Sequence, residues 1–340
     1  MSIMEQIAQE AGVSKMTVSR ILRAQSVPVY SKAKERAKQV LGIAERLNYR
    51  PNAAAKAVVS GKFHCVTLLL SPEGDEDSEM CPLLPGILDG ICVGLSERDY
   101  HLNVAHLSNA KAVGVALPKF LRENMSDGLL MNYYNEIPSR QMELIEQYKI
   151  PSIYINMKRP SDCVFPDDFG AARLATDRLI ELGHRRILYL RNFPQPHYSA
   201  TDRREGYLAG MKARGLKPLV VEIDSLSDSQ QERLDPIFSR AGRPTAVLGY
   251  VNHASAFMLS VAARHGLKIP RDLSLMHFGE DCMIAGVNMG VISLPWFQVG
   301  RLAAQELLAK IEDPARQFPP QAILVPKIEN FTTVAPPGGK

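Results

Sequence analysis

A small all-α head followed by a larger α/β body built on parallel sheets is the fold class that the 340-residue sequence predicts. Three observations predict it. Residues 1–62 hold eleven Lys/Arg against four Asp/Glu, a formal +7, while the other 29 Lys/Arg and 32 Asp/Glu give residues 63–340 a formal −3. Two short helical periods near the amino end are separated by a glycine, Gly12. From Val66 onward β-rich runs alternate with helix-like stretches, the pattern of parallel strands joined by right-handed crossovers. At about 150 residues per domain this length suits two to three domains.

Composition narrows the function classes. With 46% hydrophobic and 22% charged residues the chain is neither disordered nor fibrous. Apolar runs such as Val66–Leu70 fall far short of the ~20 residues a membrane-spanning helix needs. Met1 to Ala11 carries Glu5, Gln6, Gln9 and Glu10 where a secretory signal needs an apolar run, so a cytoplasmic protein is expected. The five cysteines, Cys65, Cys81, Cys92, Cys163 and Cys282, show no CxxC spacing. They read as free thiols, with no metal and no cofactor expected.

The head is read helix by helix. Met4, Ile7, Ala8 and Ala11 share one arc at about 100° per residue. Gly12 closes that helix and Ser14 is placed to cap the next. A helix, a tight turn with Gly and a second helix make the helix-turn-helix pattern that binds DNA. On the second helix Thr17, Val18, Ile21 and Leu22 form an apolar arc. Lys15, Met16, Ser19, Arg20 and Arg23 form the other. An ordinary amphipathic helix explains the apolar arc equally well, but not an outer arc whose charges are all positive. Arg20 suits the guanine O6/N7 edge and Met16 a thymine methyl. A third helix is expected over about residues 31–48, with Lys32, Lys34, Arg36 and Lys38 at its basic start, and Pro51 stops it. Residues 52–60 favour helix but are too few to hold it alone in water. They are expected to lack a settled fold until something buries one side.

The run Ile7-Ala8-Gln9-Glu10-Ala11-Gly12-Val13-Ser14-Lys15-Met16-Thr17-Val18-Ser19-Arg20 resembles the opening of the lactose-repressor/galactose-repressor (LacI/GalR) family. Residues 48–57, Asn-Tyr-Arg-Pro-Asn-Ala-Ala-Ala-Lys-Ala, resemble that family's hinge. The resemblance implies a hinge, with Ala55, Lys56 and Val58 at the DNA, that inserts a side chain into the minor groove. Val58 stands where relatives carry leucine, a shorter and stiffer wedge. Lys15, Met16 and Arg20 are expected to read base edges. Ser14, Thr17, Ser19, Asn48, Tyr49 and Asn52 are expected to position phosphates.

In the body, strands are expected at Val66–Leu70, Leu102–His106, Gly128–Met131, Ser152–Ile155, Ile187–Leu190, Ala246–Gly249 and Leu273–Phe278. Helices are expected near 85–98, 138–148, 168–182, 201–213, 229–240, 254–265 and 298–310. The pattern fits two α/β lobes around a cleft, and a single α/β barrel is the alternative. His184 and Arg185, between a helix end and a strand, are read as cationic caps of the helix dipole. The resemblance continues through Asp167-Asp168-Phe169-Gly170, Gly183-His184-Arg185-Arg186, Arg203-Arg204-Glu205-Gly206-Tyr207, residues 266–274 and Gly300-Arg301-Leu302. It implies a periplasmic-binding-protein-like body of two Rossmann-like lobes. The expected organisation is a DNA-binding head over 1–51, a hinge over 52–62 and a body over 63–335. The body divides into a first lobe at about 63–157 and 295–325 and a second at about 158–294.

By the same resemblance a small molecule, a sugar or sugar derivative, binds between the lobes. Arg203 is its first candidate contact, because a planar guanidinium forks onto hydroxyls or a carboxylate. Elsewhere the chain departs from the family's pattern. His253 and Gly279 stand where relatives carry carboxylates, leaving Glu280 and Asp281 beside Phe278 to compensate. Cys81-Pro82-Leu83-Leu84 replaces a segment with a stacking aromatic, which Tyr133, Tyr134 or Trp296 would have to supply. A dehydrogenase reading fails for want of a GxGxxG after the first strand. A transport binding protein shares the two-lobed fold but has no use for the basic head. The expectation is therefore a homodimeric, ligand-responsive transcription repressor acting on double-stranded operator DNA, and not an enzyme. The chain has no heptad tail for a coiled-coil tetramer.

Overall fold

The computed structural model describes residues 1–23, 31–70, 85–106, 123–133, 137, 139–192, 197–223, 228–239, 241–279, 283–284, 286–323, 328–329 and 332–338. The chain divides into two units, Met1–Phe63 and His64–Lys340.

The first unit is helical: α1 (Ile3–Glu10), α2 (Lys15–Arg23), α3 (Ser31–Arg46) and α4 (Ala53–Ser60). Ile7, Ala8 and Ala11 from α1 and its end meet Val18 from α2 and Val40 and Ala44 from α3 in one buried cluster. This is the arc that the 3.6-residue period assigned to the inside. Residues 53–60 correct the expectation of an unsettled hinge. They form a helix capped at both ends, with Asn52 Oδ1 accepting from the Ala55 N–H at 3.2 Å and Gly61 closing it at φ +69°. The caps satisfy end groups that a bare eight-residue helix would leave open.

The second unit holds two six-stranded sheets. The first contains β1 (Cys65–Leu70), β2 (His101–His106), β3 (Gly128–Asn132), β4 (Ser152–Ile155), β5 (Cys163–Pro166) and β13 (Gln321–Ile323), in the order β13-β5-β4-β3-β1-β2, all parallel. The second contains β6 (Ile187–Asn192), β7 (Leu219–Ile223), β8 (Ala246–Gly249), β9 (Ser274–Gly279), β12 (Gly290–Ser293) and β14 (Ile328–Glu329), in the order β14-β12-β9-β8-β6-β7. Only its edge pair β12–β14 is antiparallel among the described residues. A small hairpin joins β10 (Met283–Ile284) to β11 (Val287–Asn288). The helices are α5 (Pro85–Ser96), α6 (Ser139–Gln147), α7 (Asp168–Glu181), α8 (Tyr198–Ala213), α9 (Asp228–Phe238), α10 (Asn252–Arg264) and α11 (Trp296–Glu312). Two open sheets exclude the single-barrel alternative.

The lobe boundary moves. Expected after residue 157, it lies beyond β5, because Cys163 and Val164 pair with Tyr154 and Ile155 in the first sheet and are fully buried there. The tail then returns to the second lobe. Thr333 accepts from the Leu275 N–H at 2.8 Å through its carbonyl and from the Gly290 N–H at 2.7 Å through Oγ1. Its hydroxyl donates to the Leu275 carbonyl at 2.7 Å.

His184 is also corrected. Buried, it bridges Thr245 Oγ1 at 2.8 Å and the Ala335 carbonyl at 2.9 Å, and burial pushes its pKa down, so it is a neutral tie and not a cationic cap. Arg185 keeps the capping role, donating to the Ile180 carbonyl at 2.9 Å near the end of α7.

Glycines set the closest helix contact. A Cβ on Gly90 of α5 would stand 2.1 Å from the Phe297 carbonyl oxygen, and one on Gly300 of α11 would stand 2.2 Å from that of Ile87. Backbone cannot yield as a flexible side chain does. Gly90→Ala and Gly300→Ala are each expected to destabilise the second unit by about 1–3 kcal/mol through overpacking. Urea midpoints measure this, and a midpoint equal to wild type would deny the tight crossing.

Candidate nucleic-acid interface and ligand site

The presentation of α2 is fixed by local chemistry. Ser2 and Glu5 form a reciprocal capping box at the start of α1, with the Ser2 N–H donating to Glu5 Oε2 at 2.7 Å. Gly12, at φ +64°, turns the chain out of α1. Ser14 then caps α2, its Oγ accepting from the Thr17 N–H at 3.1 Å. Val18 faces the core, so residues on the opposite arc face outward. Ser14, Lys15, Met16 and Arg20 are exposed there, Met16 at 81%, and Thr17 and Ser19 are half-buried at the rim.

Lys15 is not idle in the free protein. It pairs with Glu5, and its ammonium holds the Glu5 carboxyl below the usual carboxylate range, with the Ser2 backbone N–H helping. Both groups are exposed, so the pair is cheap to break when DNA competes for the lysine. Arg23 ends α2, and its side chain lies outside the described residues. Asn48 (φ +49°) leads the chain out of α3, and Tyr49 packs part-buried on the head's core with its N–H donating to the Ala44 carbonyl at 2.8 Å. On α4, Ala55, Lys56 and Val58 are exposed, Val58 at 86%, while Ala57 is buried.

In the second unit, the carboxyl ends of the strands gather a polar cluster. Asp168, the first residue of α7, is fully buried. Arg203 of α8, only 6% exposed, donates from Nε to Asp168 Oδ1 at 2.7 Å and from Nη1 to the Tyr250 carbonyl at 2.6 Å. Its guanidinium lies 4.7 Å from the Tyr250 ring centroid and 4.8 Å from that of Phe278, a cation–π sandwich. Burial opposes the charge of Arg203, and Asp168 together with the Tyr250 and Tyr189 side chains outweighs it, so the guanidinium stays charged. Asp168 Oδ2 is buried with no hydrogen-bond partner among the described residues.

Around this pair the lobes are tied together. His197 precedes α8 and contacts the Asn156 carbonyl at 2.9 Å through Nε2 and Ser199 Oγ at 2.7 Å through Nδ1. Facing a carbonyl, Nε2 carries the proton, and burial pushes the imidazole pKa down. The Tyr198 hydroxyl donates to Asn156 Oδ1 at 3.1 Å, and Ser199 Oγ bonds the Tyr250 hydroxyl at 2.8 Å. Lys158 pairs with Asp202. His277, in β9, bonds Ser255 Oγ at 3.0 Å, and burial lowers its pKa to about 4.

Of the expected ligand contacts, the structure brings Arg203 and Phe278 together. Tyr133 is corrected to a core residue of the first lobe, packed with Leu69, Leu129 and Met131, its hydroxyl donating to Gln141 Oε1 at 2.7 Å. Trp296 is likewise core. His253 is exposed in the first turn of α10. Leu84, Tyr134, Glu280 and Asp281 lie outside the described residues. Sequence reasoning missed the pairing of Asp168 with Arg203, and it missed Asn156, His197 and Tyr250. Only the acidic first turn of a helix hinted at the first of these.

A model of bacterial regulatory proteins of the lacI family matches residues 3–52, and a periplasmic binding protein-like domain model matches residues 176–329. The HTH-type transcriptional regulator CelR of Thermobifida fusca is 28% identical over 321 residues, covering 91% of each chain. The HTH-type transcriptional repressor PurR of Photorhabdus laumondii subsp. laumondii is 24% identical over 322 residues, covering 92% of this chain and 91% of its own. The lac repressor dimer bound to operator and the anti-inducer ONPF has the same fold, with a TM-score of 0.74 at 20% identity over 97% of this chain and 98% of that one. A complex of the transcriptional regulator CelR with cellobiose gives 0.64 at 25% identity over 94% and 96%. Residues 3–52 thus carry a head of the lacI family of bacterial regulatory proteins, residues 176–329 a periplasmic-binding-protein-like body, and the chain is similar along nearly its whole length to transcription regulators.

Proposed function

We propose that this protein is a cytoplasmic, homodimeric transcription repressor whose operator affinity is set by a small saccharide-like effector bound between the lobes of its body. The observation that carries the reading is the outward face of α2. Met16 and the cations Lys15 and Arg20 stand exposed there, opposite the buried Val18. Two such faces related by a twofold axis match the half-sites of a near-palindromic site. Lys15, Met16 and Arg20 read base edges. Ser14, Thr17, Ser19, Arg23, Asn48, Tyr49 and Asn52 hold phosphates, and Ala55, Lys56 and Val58 of α4 meet the minor groove. The CelR complex with cellobiose supports a sugar effector, and the lac repressor dimer on operator supports twofold docking.

Coupling follows from linkage. A ligand that favours one arrangement of the lobes changes operator affinity by its differential binding, typically 1–3 kcal/mol. Arg203, with Phe278 against its guanidinium, is the anchor of that ligand, and His253, Glu280, Asp281 and Leu84 are candidate contacts around it.

Selection from random double-stranded oligonucleotides, with and without candidate sugars, tests the proposal. Enrichment of a twofold-symmetric site is expected, and no enrichment in either condition would overturn it. Affinity for the selected site is expected to fall linearly in log–log with salt, at a slope of about −0.9 per phosphate neutralised. A flat salt response would remove the phosphate contacts.

A further inference from the structure

We propose that the effector of this protein carries no net negative charge: it is a neutral or amino saccharide and not a sugar acid or a sugar phosphate. The inference rests on the reading of the interlobe cluster as the effector site and adds the ligand's charge class.

The argument starts at Arg203, the cation that would receive an anionic ligand. Two of its three nitrogens are committed, Nε to Asp168 Oδ1 at 2.7 Å and Nη1 to the Tyr250 carbonyl at 2.6 Å. Its charge is already neutralised by a carboxylate that is itself fully buried. A second carboxylate or phosphate brought to this guanidinium would meet Asp168 in a low-dielectric surrounding, where like charges repel strongly.

Among the described residues, the groups bonded into this cluster supply no unpaired cation. His197 and His277 are buried and held neutral by that burial, the first with its Nε2 proton turned to the Asn156 carbonyl. Lys158 is paired with Asp202. What the cluster offers instead is the Asp168 carboxylate, whose Oδ2 is buried and makes no hydrogen bond within 3.5 Å among the described residues, with the Tyr198 hydroxyl the nearest donor beside it. A buried carboxylate oxygen left open is met by a hydroxyl or ammonium donor, and it excludes an anion.

Calorimetric titration of the full-length protein tests the inference with three groups of probes. They are neutral sugars (glucose, cellobiose, galactose), the amino sugar glucosamine, and anionic sugars (gluconate, galacturonate, glucose 6-phosphate). Binding is expected for a neutral or amino probe at least ten-fold tighter than for its anionic counterpart. For a neutral probe the affinity should be unchanged between 50 mM and 500 mM salt. Glucosamine binding tighter than glucose, and weakening with salt, identifies Asp168 as an ion-pairing contact. Equal affinity of the two identifies it as a hydroxyl acceptor. Asp168→Asn frees the Arg203 charge and is expected to invert the preference toward gluconate or galacturonate. Should that variant fail to fold, the wild-type ranking decides alone. Tighter binding of an anionic sugar that is lost in Arg203→Lys overturns the charge class while keeping the site. Failure of every probe to bind overturns both.

Discussion

Arg20→Ala is expected to weaken binding to the selected operator by about 1–3 kcal/mol, roughly ten- to a hundred-fold, and to relax the base preference at one position per half-site. The side chain is exposed on the outward arc of α2, so its removal leaves the buried contacts of Ile7, Val18 and Val40 intact. Folding stability of the head should therefore stay within about 0.5 kcal/mol of wild type, as for surface substitutions generally. The discriminating measurement is competition between operator and random duplex at fixed salt. A base-reading arginine loses affinity for the first and little for the second. Parallel losses would reassign Arg20 to the phosphates. Lys15 gives an internal control. Its tie to Glu5 must be broken on docking, so Lys15→Ala should cost less than Arg20→Ala.

The second large effect lies in the body. Arg203→Ala leaves the fully buried Asp168 carboxylate without its partner. Removing one member of a buried pair typically destabilises by about 3–5 kcal/mol, because the remaining charge keeps its desolvation cost and loses its compensation. Chemical denaturation should show that loss in the body. Replacing both residues, as in Asp168→Leu with Arg203→Met, should recover most of the stability, since two apolar side chains carry no such cost. The double variant should still fail to respond to any sugar that shifts the wild-type protein. A single Arg203→Ala variant as stable as wild type would mean that the pair is solvated in solution.

The fold was legible wherever periodicity was long. The seven body helices and the strands β1, β2, β3, β4, β6, β8 and β9 fall within a few residues of where the apolar pattern puts them. The strands that escaped are short or peripheral. Among them β7 and β14 are sheet edges, β5 ends on Pro166, and β10 and β11 have two residues each. Runs of that length cannot be told from loops by alternation. Misplacing β5 moved the lobe boundary, because four buried residues decide which sheet a crossover joins. The recognition face was readable because its determinants are local, within one helix. The ion pair was not, because Asp168 and Arg203 stand 35 residues apart and meet only when α7 packs against α8. The hinge was misjudged for a related reason. Chain length alone argued against helix, while Asn52 and Gly61 supplied the caps that the estimate left out.

The threading of the chain through the two sheets has a consequence for biosynthesis. β13 and α11 belong to the first lobe, yet ribosomes make them after all of residues 187–293, which build the second sheet. Neither lobe is therefore a contiguous stretch of message, and the first must wait, incomplete, while the second is translated. The head is contiguous and comes first, so under vectorial synthesis it folds ahead of the apparatus that governs it. During each round of translation the recognition helix is in place before the body is complete.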